Sequence, residues 1–137
     1  MEKEMKTSFF SLFRYNKFEF GNQTVSQFVI FEYKYLCSFI FFYFHKSVQS
    51  QDRFHTHAFN AISFKLFGQY TEYVLNDETK QVSERRRKSF FQFFPRESFH
   101  KIGKSNGCLT FLISGPWKKT WKEYKDDQLI EYTWNRK

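Results

Sequence analysis

Turn-forming residues are scarce in this 137-residue chain, which holds five glycines and two prolines. Set against an aromatic content of 23%, that scarcity excludes a fibrous or intrinsically disordered chain, because so much ring surface must be buried in an ordered fold. Cysteine is nearly absent. Cys37 and Cys108 stand far apart with no metal-like spacing, and nothing asks for a disulfide. Long apolar runs are missing too. The longest, Phe39 to Phe44, falls far short of the ~20 residues that a bilayer-spanning helix needs. The N-terminus (Met1-Glu2-Lys3-Glu4) opens on mixed charge, so no signal peptide is expected. These absences point to a soluble protein of a reducing cytoplasm, with no membrane partner.

What is present is positive charge, a formal net of +8. A surplus of that size suits an anionic partner such as a nucleotide, nucleic acid or membrane surface, and says nothing about fold. The length fits one domain. Residues 1–16 are charged and aromatic without clear period and read as an irregular arm. Residues 17–137 read as a single domain of short strands, at 17–20, 24–34, 38–45, 54–67, 69–75, 89–94, 98–102, 108–113 and 129–134, rich in Phe, Tyr, Val and Ile. The polar stretch 76–85 reads as the longest connection. Lys118 to Lys125 contains no Gly or Pro and is compatible with a short C-terminal helix. The pattern predicts an all-β sandwich or barrel.

Chemistry concentrates in the histidines, of which there are four: His45, His55, His57 and His100. In His55-Thr56-His57 the two imidazoles sit at i and i+2, which on a strand project from one face. A third imidazole from a neighbouring strand would complete a site for a transition metal. Three other signals carry less. Gly103-Lys104-Ser105 resembles the end of a phosphate-binding loop, but a strand-like segment follows where a helix is required. No Gly-x-Ser-x-Gly elbow is present. Glu123, Asp126 and Asp127 lie in a basic stretch and read as a solvated face.

The ordered set of motifs resembles the cupin superfamily. Its first motif has His-x-His, an acidic residue shortly after and a Gly further on. Here His55, His57 and Gly68 match, while Ala61 stands in the acidic position. Its second motif places a Pro before a His, matched by Pro95 and His100, with Ser89 and Glu97 replacing two glycines. Similarity to small cupin-like proteins of bacterial and phage genomes extends over roughly residues 36–124. It runs through Tyr43-Phe44-His45, Asp52-Arg53-Phe54-His55-Thr56-His57, Gly68-Gln69-Tyr70-Thr71-Glu72, Pro95 to Lys101 and Gly115-Pro116-Trp117, with Ala58 in place of a usual Pro.

That resemblance implies a double-stranded, jelly-roll-like β-barrel with His55, His57 and His100 in its mouth. They would hold a divalent transition metal (iron, manganese, nickel or zinc), with His45 as a fourth candidate. On the inward face of the 55–67 strand would lie Phe59, Ala61, Ser63 and Lys65. The apolar residues between them call for a covering layer, either the N-terminal strands or a second copy in a homodimer. Lys65, with Arg53, Arg96 and Lys101 at the rim, would attract a small anionic substrate, and Glu72 or Glu97 would serve as acid or base. The reaction is left open among oxygenation, hydrolysis and isomerisation. Two alternatives stand beside this enzyme. One is a non-catalytic barrel that captures an anionic ligand such as a nucleotide signal, acting in a host cytoplasm if phage-encoded. The other is nucleic-acid binding through Arg85-Arg86-Arg87-Lys88, four cations beside aromatic residues.

Overall fold

A computed structural model describes residues 2–20, 23–87, 89–125 and 128–136. The described residues form strands and connections, with no helix. The strands are β1 (Glu2–Thr7), β2 (Phe10–Phe20), β3 (Gln23–Tyr33), β4 (Cys37–Phe44), β5 (Phe54–His55), β6 (Ala61–Phe67), β7 (Tyr70–Leu75), β8 (Val82–Arg86), β9 (Phe91–Phe94), β10 (Phe99–Ser105), β11 (Cys108–Ser114), β12 (Thr120–Lys125) and β13 (Gln128–Arg136). They build two sheets, ordered β1-β13-β12-β5-β10-β7-β8 and β2-β3-β4-β11-β6-β9. All pairings are antiparallel except β1 with β13. The architecture is a jelly-roll sandwich of two open sheets rather than a closed barrel.

Period-two alternation explains which residues meet between the sheets. Along β11, Cys108, Thr110, Leu112 and Ser114 are buried while the residues between them are less so. Val25 and Val29 of β3 and Ile40 of β4 face the same interior. The core lies in two adjoining clusters. Ala58, Phe59, Ala61, Phe94 and Leu112 pack against Phe42, Trp117 and Trp121. Tyr70, Ile102 and Cys108 pack against Phe44. Few glycines are needed, but Gly68 is one that is. It turns β6 into β7 at φ +86°, and a Cβ there would stand 2.0 Å from the carbonyl oxygen of Gly107.

The structure departs from several of these expectations. Residues 10–16 are no irregular arm, since β2 pairs with β3 along its length, and residues 2–7 pair with β13. The period is hidden because the backbone of β2 is irregular at Phe13, whose φ is 48°, although its register with β3 is kept. Across that irregularity the exposed positions change from Phe10 and Leu12 to Tyr15 and Lys17. The 118–125 segment forms β12 instead of a helix. Eight residues are too few for a helix to hold without packing, whereas here β13 and His55 supply ladder partners. The 76–85 connection is largely a hairpin into β8. Finally, the 54–67 strand is broken: residues 56–60 carry the chain from β5 in one sheet to β6 in the other.

The outer face of the six-stranded sheet is aromatic. Tyr15, Phe28, Phe41, Phe111, Phe64 and Phe91 are cross-strand partners in one unbroken row. A second row runs from Leu12 through Phe39 and Ile62 to Phe93. Phe28, Phe91 and Phe93 are about half exposed, at 48%, 52% and 52%. Among the described residues, no helix is long and apolar enough to cross a membrane.

Candidate metal centre

Register alone brings the first two imidazoles together. His55 of β5 pairs directly with His100 of β10, so both side chains rise from one face of the sheet. Their ring centroids are 4.7 Å apart. His57 arrives from the crossover that follows. Its backbone N–H donates to the Arg96 carbonyl at 3.3 Å, and Thr56 Oγ1 accepts from the Lys122 N–H at 2.8 Å. These bonds return the His57 ring to within 5.1 Å of His55 and 5.0 Å of His100. The Nε2 atoms of His57 and His100 lie 2.8 Å apart, and one ligand nitrogen from each of the three rings falls within 4.8 Å of the others.

Both members of the His-x-His pair are held in the neutral form. Burial, followed by the neighbouring His100, pushes His57 from 6.5 down to about 3. Burial, then His100 and His57, drives His55 well below its ordinary value. A neutral imidazole offers a lone pair, which is the form a metal takes. Nitrogen donors at ~2.0–2.1 Å from a shared ion are themselves about 3 Å apart, and the His57–His100 spacing already meets that condition. The residues fit a divalent transition metal.

Behind His100 stands Glu72, which is 1% exposed. Its Oε2 is 3.6 Å from His100 Nδ1, just beyond hydrogen-bond distance. Its Oε1 accepts from Arg85 Nη2 at 2.5 Å and Nε at 3.0 Å. Burial opposes ionisation of Glu72, but His100 and Arg85 outweigh it and hold the carboxyl below its usual value. Glu72 therefore backs a histidine instead of lining the chamber. Glu97 pairs with Arg96 and its side chain is 72% exposed, away from the chamber.

The histidines open on a chamber of about 260 Å³ between the sheets. Its walls are mainly apolar, with Phe42, Phe44, Phe59, Phe94, Leu112 and Trp117 prominent. The basic residues expected at its rim are not among those that line it. Arg53 is held by Asp52 and Glu123, Arg96 by Glu97 and the Thr120 carbonyl, and Lys101 lies over the rings of Phe54 and Tyr73. Lys65 donates to the Arg87 carbonyl at 3.3 Å. His45 is also elsewhere: alternation turns Phe44 inward, so His45 faces outward, with its Nε2 2.8 Å from Ser26 Oγ. Ala61, in the expected acidic position, is buried in the core beside Phe59 and Phe94.

Two residues acquire roles that the sequence reading did not give them. Glu123, read as solvated, is the cross-strand partner of His55 and lines the chamber, with Oε2 3.3 Å from Arg53 Nη1 and 3.1 Å from the Tyr132 hydroxyl. Asp126 and Asp127 lie outside the described residues. Arg87, read as part of a cationic surface, is 3% exposed. With Arg85 engaged by Glu72 and Arg87 buried, the 85–87 run forms no continuous basic surface, and Lys88 lies outside the described residues. A period-two count from the inward Ser63 and Tyr70 could not have located Arg87, because hairpin register decides it.

No family model matches this chain, and no curated protein does. Solved structures show the fold. The chain is similar to a cupin 2 conserved barrel domain protein from Rhodopseudomonas palustris at TM-score 0.57 and 14% identity, covering 84% of this chain and 79% of that one. It is similar to the DMSP lyase DddQ from Ruegeria pomeroyi DSS-3 at TM-score 0.56 and 11% identity, over 75% and 56% of the two chains. Oxalate decarboxylase from Bacillus subtilis gives TM-score 0.54 and 9% identity, over 84% of this chain and 31% of that one. This chain thus spans little more than half of DddQ and about a third of oxalate decarboxylase. The all-β jelly roll is the cupin fold, and its interior carries a three-histidine cluster suited to a metal.

Proposed function

We propose that this chain is a metalloprotein in which His55, His57 and His100 hold one divalent transition metal and a small anionic substrate occupies the chamber beside it. The observation that carries the reading is the convergence of three imidazoles, with ligand nitrogens within 4.8 Å, on the wall of a mainly apolar cavity. Iron, manganese, nickel or zinc bound there would act as a Lewis acid toward a substrate oxygen or lower the pKa of a coordinated water. The chain's own residues do the remaining work. Phe42, Phe44, Phe59, Phe94 and Leu112 exclude water and favour a compact apolar body. Glu72 sets a carboxylate 3.6 Å behind the Nδ1 of His100, where a small shift would complete a hydrogen bond that orients the ring. Glu123 is the carboxylate within reach of the bound molecule, held in place by Arg53 and Tyr132. Two proteins of the same fold are named as a lyase and as a decarboxylase of oxalate, itself a small dianion. Those names support catalysis on a small acid.

The test is elemental analysis of untagged protein purified without chelators, beside a His57→Ala variant. Near one equivalent of a transition metal, lost in the variant, is the expected result. No metal in either protein would overturn the reading. The chamber would then be a capture pocket, an alternative favoured by one feature: among the described residues no carboxylate joins the three histidines in a metal-binding group.

A further inference from the structure

Arg87 is a buried cation to which the metal centre gives no role. Its guanidinium donates to Ser63 Oγ at 2.7 Å, the Ser63 carbonyl at 2.6 Å, the Tyr70 hydroxyl at 3.0 Å, and the Ser89 and Phe90 carbonyls at 3.4 Å. Every one of these acceptors is neutral. Among the described residues no carboxylate lies within ion-pair distance of it. The hydrogen bonds of the guanidinium are therefore satisfied while its charge is not. Arginine does not escape by losing its proton, and a buried charge without a counter-ion is unfavourable. Lys65, which donates to the Arg87 backbone carbonyl at 3.3 Å, brings a second cation to this region rather than a counter-ion. The carboxylates of Glu72 and Glu123 are engaged by Arg85 and Arg53 respectively.

The direction of the hydrogen bonds shows where an anion would be received. A guanidinium only donates, so Ser63 Oγ and the Tyr70 oxygen must accept from it. Their own O–H hydrogens then point elsewhere, and both residues line the chamber. Ser63 and Tyr70 are each 2% exposed, so the two hydroxyls are fixed by packing. Burial pushes the Tyr70 phenol up from its ordinary value, which keeps it a donor. Phe94 connects this wall to the metal centre. Its ring is 5.9 Å from the Arg87 guanidinium carbon and 5.3 Å from the His100 ring.

We propose that Ser63, Tyr70 and Arg87 form an anion-binding subsite of the chamber, which receives the carboxylate of a compact, largely apolar acid through the two hydroxyls with Arg87 behind them. This rests on the reading that the chamber is the substrate site and names the substrate class: a small carboxylate with an aromatic or aliphatic body that fits between Phe42, Phe44 and Phe94. The anion selector is thus an interior wall, and not the basic residues outside it.

The experiment is calorimetric titration of metal-free and zinc-loaded protein with benzoate and, as its neutral counterpart, benzyl alcohol. Benzoate is expected to bind about tenfold more tightly than benzyl alcohol, the scale of a charge-assisted hydrogen bond. Ser63→Ala and Tyr70→Phe should each weaken benzoate by about fivefold while benzyl alcohol changes less than about twofold. Arg87→Met should abolish the preference and Arg87→Lys restore part of it. If Arg87→Met fails to fold, the two hydroxyl variants still decide, because they leave the guanidinium in place. Equal affinity for the two probes, no binding of either, or unchanged benzoate affinity in both folded hydroxyl variants would overturn the subsite. Failure of the metal reading looks different: zinc would not bind to one equivalent, yet the benzoate preference would persist in metal-free protein.

Discussion

The neutral histidines at 55 and 57 make metal-free protein sensitive to mild acid. In the unfolded chain His57 titrates near 6.5, whereas in the fold it is held at about 3. A base with a depressed folded pKa binds fewer protons in the native state, so its contribution to stability is complete above 6.5 and is lost as pH falls toward 3. At pH 5 the folded imidazole is still neutral, and the loss is set by the unfolded value alone. The 1.5-unit distance below 6.5 corresponds to about 2 kcal/mol at ~1.4 kcal/mol per unit. His55, lowered in the same direction by burial, adds to the effect. With a urea slope of ~1.5 kcal/mol per molar, the midpoint of metal-free protein should fall by at least about 1 M between pH 8 and pH 5. His57→Gln removes the titrating group, so its midpoint should be less dependent on pH by about the His57 share. A wild-type midpoint unchanged between pH 8 and pH 5, or a His57→Gln profile as steep as wild type, would refute the reasoning.

Other consequences can be read from single side chains. Glu72→Gln keeps the shape of the residue behind His100 but removes the charge, and zinc affinity measured by chelator competition should drop about 10–100-fold. Gly68→Ala places a methyl against the Gly107 carbonyl in a left-handed conformation, and should cost at least about 2 kcal/mol in urea denaturation. The two uncharged rows on the outer face of the six-stranded sheet are expected to be covered by a second copy of this chain, because a two-fold pairing buries the same patch on both. Phe111→Asp, at the centre of the aromatic row, should turn a dimer into a monomer in sedimentation; a wild-type monomer would remove this expectation.

The sequence by itself carried the all-β class, the His-x-His pair and the glycine at 68. Each is a local signal: strand propensity, an i, i+2 spacing, and a turn that no side chain can occupy. Register could not be read there, and it decided the rest. The positive φ at Phe13 hid the alternation of β2, and its ten ladder partners on β3 define it as a strand. Arg87 and Arg85 look alike in a basic run, yet the β7–β8 hairpin sets Arg85 against Glu72 while Arg87 passes beneath Tyr70 and Ser63. Glu123 looked solvated until β12 paired with β5 and set it opposite His55. The three histidines converge because the chain leaves one sheet at His55 and enters the other at Ala61, turning His57 back toward His100. Such placements depend on which residues lie across a ladder or a crossover from one another, and only the packed sandwich brings those distant parts of the chain together.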